Sequence, residues 1–144
     1  MSYADAAALA RLIPERTLIE LSNDTAPALV ADATVIADAL LYADALVDAR
    51  LRQRYTLPLA EVPVEVTQWA LALARHWLYA RRPDGPDLPI AVTAAYKEAL
   101  TSLDAVRDGK LSLGLPSGDA AAEPGRVVVA APERTFTDAM WNTY

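Results

Sequence analysis

The chain contains no cysteine and one histidine. The first absence excludes disulfides, thiolate metal sites and cysteine nucleophiles, and the second leaves no His-x-x-x-His pair for a metal. Aromatic residues are scarce, 7% of 144. With 53% apolar residues, many of them alanine, the composition favours helices with Ala-rich faces over a sandwich of β-branched strands. Positive charge is also in short supply: 13 basic against 19 acidic residues give a net charge of −6, and no segment forms a basic stripe. Such a chain lacks the counterion-release term that drives ordinary DNA binding. An acidic surface can still line a conduit past which DNA slides without sticking. No apolar run approaches the roughly 20 residues that span a bilayer, and the N-terminus has no basic region preceding an apolar one. No membrane partner is expected, and an intracellular site of synthesis is.

What is present is punctuation. Ten prolines fall mostly at the ends of apolar periods, which marks element boundaries. Ser2 is placed to cap a short helix with Ala6, Leu9, Ala10 and Ile13 on one face, and Pro14 to open a second with Leu18, Ile19 and Leu21. The longest helix starts near Asp32 and runs to about Tyr55, with Ile36, Leu40, Ala43, Val47 and Leu51 at steps of three and four. Its acids precede its bases, as the helix dipole favours, and Asp48 and Arg52 are spaced to pair. Pro63 opens a helix over residues 64–80 that is apolar on nearly every side. Such a helix is a central core element or touches a neighbouring subunit. After a Pro/Asp/Gly loop, Val92, Tyr96, Ala99, Leu103 and Val106 mark a last amphipathic helix, stopped by Gly109. The expected fold is all-α, a small bundle of four to five helices over residues 1–115. Residues 116–144 read as a linker and a C-terminal interaction arm, with Val127–Val129 having strand composition.

Candidate chemistry is sparse. Asp44 and Asp48 share a helix face, and paired carboxylates can do acid–base work or hold a cation. Without a convergent histidine, Gly-rich loop or third carboxylate they read as a solvated face, and no metal or cofactor is expected. His76 lies in the apolar helix with no sequence pattern completing a triad, so it reads as structural and no enzyme is expected. Arg75, Arg81 and Arg82, interleaved with Trp77 and Tyr79, could bind single-stranded nucleic acid; arginines at a helix C-terminus also suit the dipole, which is the preferred reading. Trp69, Leu73 and Trp77 fall on one side of their helix, as a core or ring contact. In the arm, Phe136, Met140, Trp141 and Tyr144 are of types enriched in interface cores, with Arg134 as a polar contact.

These pieces occur in a particular order. A helix pair over residues 3–21 and a long helix lead into Arg54, Tyr55, Leu57, Pro58 and Leu59, then Val62 and Pro63. Leu78, Tyr79, Arg81 and Arg82 follow, then Tyr96, Ala99, Leu100 and Leu103, the run from Gly109 to Gly114, and Arg134 with Phe136. In that order and spacing the chain resembles the small head-to-tail connector (adaptor, or neck) proteins of Mu-like and related tailed phages. Many such proteins have an Asp/Gly-rich loop before the long helix, where this chain has only Asn23 and Asp24; no cation site is carried over. The resemblance implies a structural virion protein in the neck between capsid and tail. It would form a ring, commonly of twelve subunits, below the portal, extend the DNA exit channel and receive a stopper or tail-completion protein. DNA would pass without specific binding. The competing reading is a small helical DNA-binding or regulatory protein, disfavoured because the basic clusters end helices rather than begin them.

Overall fold

The structure, a computed structural model, describes residues 2–25, 27–82 and 88–116. The linker from 117 on, Val127–Val129, and the arm residues Arg134, Phe136, Met140, Trp141 and Tyr144 lie outside them. Five helices and no strand occur among the described residues: α1 (Ala6–Leu12), α2 (Glu15–Ser22), α3 (Ala33–Leu51), α4 (Val64–Ala80) and α5 (Ile90–Arg107). The fold is all-α. α4 packs against both α3 and α5, which also touch each other, and the short α1 and α2 lie across α3 and α4.

The helix starts follow two chemistries. α1 and α3 are capped by aspartates: Asp5 accepts from the Ala8 N–H at 2.6 Å, and Asp32 from Thr34 at 2.8 Å. Each carboxylate satisfies a first-turn donor that has no partner inside its own helix. The expected Ser2 cap is therefore corrected to Asp5; the Ser2 hydroxyl donates to the Ala4 carbonyl instead. α2, α4 and α5 each follow a proline, Pro14, Pro63 and Pro89, with no side-chain cap. α5 ends in a Schellman arrangement. Gly109 adopts φ +77°, its N–H reaches the Val106 carbonyl at 3.1 Å, and the Lys110 N–H reaches Ala105 at 2.8 Å.

The core is aliphatic and alanine-rich. Leu9, Ile13, Leu51, Leu73, Leu78 and Leu103 are fully buried around Ala39, Ala43, Ala70 and Ala74, the small residues allowing close helix approach. On α1 only Leu9 and Ile13 of the expected face are buried; Ala6 and Ala10 are exposed. Alanine is apolar enough to join a pattern and small enough to lie outside it at little cost. α4 buries Val66, Ala70, Leu71, Leu73, Ala74 and Leu78, while Val64 is 72% exposed. Past α3 the chain turns through Tyr55, whose buried ring carries a hydroxyl that accepts from the Leu113 N–H at 3.0 Å. That bond fixes the segment after Gly109 onto the bundle. The Leu57–Pro58 peptide bond is cis.

Candidate functional site

The paired carboxylates of α3 are not a solvated face. Asp44 is buried and accepts the Tyr3 backbone N–H at 3.0 Å, and Asp48 accepts the Tyr3 hydroxyl. One tyrosine thus ties the chain before α1 to the middle of α3. Burial raises the Asp44 pKa above its ordinary value, with the Tyr3 N–H opposing. The Tyr3 phenol is raised as well, first by burial and then by its bond to Asp48. The pair is an anchor. A sequence signal existed, because Asp44 lies three residues before Val47 and seven before Leu51, on the buried stripe itself.

The arginines at the end of α4 are also engaged. Arg81 donates to the Leu21 carbonyl and to Asp24, both at 2.9 Å, and Arg82 to the Asn23 carbonyl. From the other side of this loop, Asn23 Nδ2 donates to the Val30 carbonyl at 2.8 Å, and the Ser22 hydroxyl accepts the Asp32 N–H at 2.9 Å. The basic cluster closes the α2–α3 connection. Both guanidiniums are thus held by oxygens of the α2–α3 connection. At the opposite end Arg50 of α3 meets Asp104 of α5 at 3.1 Å, and Asp104 also takes Arg107 at 3.1 Å. On α3 itself, Arg52 Nε donates to the Asp48 backbone carbonyl at 3.2 Å.

His76 stacks on Tyr96 with ring centroids 3.8 Å apart and planes 15° from parallel. Burial lowers its pKa, so the ring is neutral at pH 7 and serves as a packing surface. Trp77 approaches Tyr42 at 6.4 Å between centroids. Together these rings join α3, α4 and α5. Leu73 is fully buried, whereas Trp69 and Trp77 are half-buried at the margin of the core.

Among the described residues no group of three His, Cys, Asp or Glu side chains is placed to hold a metal, and no helix is long and apolar enough to cross a membrane. What remains is surface. Leu41 on α3 is 68% exposed beside Tyr42. Between α1, α4 and α5 runs a groove of about 280 Å³ lined by Leu12, Trp69, Ala72 and Arg75. Apolar groups left at a surface in this way can take protein contacts. A family model described as Bacteriophage Mu, Gp36 matches residues 3–131. No curated protein matches the chain.

Proposed function

We propose that this chain, which belongs to the Bacteriophage Mu Gp36 family, is a structural head-to-tail connector that forms a ring below the portal and extends the DNA exit channel. The match over residues 3–131 carries this reading, because it spans all five helices and makes the chain a phage protein. Three physical features support the finer assignment. The bundle and its connections are tied by long-range polar contacts, Tyr3 to Asp44 and Arg81 to Asp24 among them, which suits a rigid wall. The net charge of −6 lets DNA pass without being gripped. Half-buried Trp69 and Trp77 and exposed Leu41 leave apolar surface for neighbours.

In this reading the protein is not an enzyme, needs no cofactor, and resides in the virion neck. Its partners are further copies of itself, the portal protein and a stopper or tail-completion protein. The arm, through Phe136, Met140, Trp141, Tyr144 and Arg134, contacts the portal or a neighbouring subunit. The alternative of a DNA-binding regulator loses ground because Arg81 and Arg82 are spent on the α2–α3 loop. Co-sedimentation of the full chain with the cognate portal tests the proposal. Binding is expected, and its removal by deleting residues 117–144 while helical content persists would assign it to the arm. A full chain that never associates with the portal contradicts the connector role.

A further inference from the structure

We infer that the groove between α1, α4 and α5 receives the exposed ridge of α3 from a second copy of this chain, with Asp38 of the incoming ridge meeting Arg75. The inference rests on the ring reading and names the contact that builds the ring. A closed ring needs a heterologous interface, two different surfaces of one subunit that fit each other. The groove belongs to α1, α4 and α5, and the ridge to α3, so one copy can use both at once.

The groove combines an apolar lining with a guanidinium that has no ion pair among the described residues. Leu12, Trp69 and Ala72 give it an apolar lining, and Gln68 and Glu98 a polar edge. Arg75 lies within it with Nε sealed from solvent and without a hydrogen-bond partner among the described residues. Glu98, though in the same groove, forms no ion pair with it. Nε is enclosed by the chain's own atoms, whereas the terminal nitrogens of the same guanidinium are not sealed and have no ion pair among the described residues. An acidic group entering the groove would meet those terminal nitrogens. The groove, of about 280 Å³, has room for protein side chains.

The ridge offers the complement. Leu41 stands 68% exposed on α3 with Tyr42, 38% exposed, beside it. Asp38, one turn N-terminal to Leu41 and Tyr42, is exposed and makes no side-chain hydrogen bond or ion pair among the described residues. Helical spacing sets residues 38, 41 and 42 on one face. An apolar knob with an unpaired acid therefore has the order of groups that an apolar groove with an unpaired guanidinium requires. Carboxylate and guanidinium make a charge-assisted, geometrically specific pair once water is excluded.

The natural absence of cysteine makes the test clean. Full-length L41C/A72C, alone and bound to the cognate portal, is mildly oxidised and run under non-reducing conditions. Ladders of covalent multimers are expected, while L41C and A72C alone give at most dimers. In parallel, sedimentation of R75E and of D38R should show self-association weakened by about tenfold or more. The double variant D38R/R75E, and an equimolar mixture of the two single variants, should recover it, which a merely misfolded subunit would not do. Rings that form while no ladder appears, or charge variants that assemble like the unmodified chain, overturn this interface and leave the ring standing. A chain that stays monomeric both free and with the portal overturns the interface and the ring together.

Discussion

At the scale of single residues, Asp44 shows what a buried acid costs and why it is kept. Its carboxylate holds the Tyr3 N–H, and truncation leaves that donor without its acceptor. Asp44→Ala is expected to lower unfolding free energy by about 1–3 kcal/mol, read from urea denaturation. An unchanged midpoint would remove the anchor role. Because burial raises the folded pKa of this acid above 3.8, the native state takes up its proton more readily than the unfolded chain. The Asp44 contribution is therefore most favourable below pH 3.8 and declines as pH rises through the raised value. His76 works in the opposite sense. Its folded pKa is depressed below 6.5, so its contribution is whole above that value and is lost as pH falls toward the folded pKa. As it is the only histidine, a drop in melting temperature between about pH 7 and pH 5 should track it. That drop should shrink in His76→Gln, and an equal drop in both proteins would assign it elsewhere. Spacing with Val47 and Leu51 put Asp44 on the buried stripe, but nothing local showed what would hold it there. Asp44 and Asp48 looked solvated because a carboxylate on a helix usually is, and the partner that buries them, Tyr3, lies 41 residues away from the first.

At the scale of elements, the boundaries set by Pro14, Asp32, Pro63 and Gly109 were legible, since these residues act through their own backbone or the next turn; the cap of α1, which is Asp5 and not Ser2, and the end of α3, which comes at Leu51 and not near Tyr55, were not. Faces were harder. Ala6 and Ala10 fit the pattern of α1 yet face solvent, because alanine contributes too little area to orient a helix. On α4 three residues with one spacing have different surroundings: Leu73 is enclosed, and Trp69 and Trp77 line the margin. Leu73→Ala should cost about 2–5 kcal/mol in the isolated chain, and Trp77→Ala less. Equal losses would mean that Trp77 is a core residue even without neighbours. Gly109, at φ +77° with the Arg54 guanidinium where a Cβ would stand, is required by the end of α5. Gly109→Ala should destabilise by about 1–2 kcal/mol, and thermal unfolding that matches the parent would contradict the Schellman ending.

At the scale of the whole molecule, the all-helical architecture followed from composition and period, whereas the ties that hold it, such as Arg81 to Asp24 and Arg50 to Asp104, join residues 57 and 54 positions apart. No local signal marks such pairs. Charge at this scale bears on function directly. Titration with duplex DNA at physiological salt should give binding no tighter than about 10⁻⁶ M, the strong end of non-specific association; a dissociation constant near 10⁻⁸ M, as specific readers show, would favour the regulator reading. The connector assignment itself is tested most directly by electron microscopy of the full chain mixed with its cognate portal. The account predicts a closed ring of this subunit seated coaxially on the portal with an open central channel; portal particles without such a ring, at saturating concentrations of the chain, would contradict it.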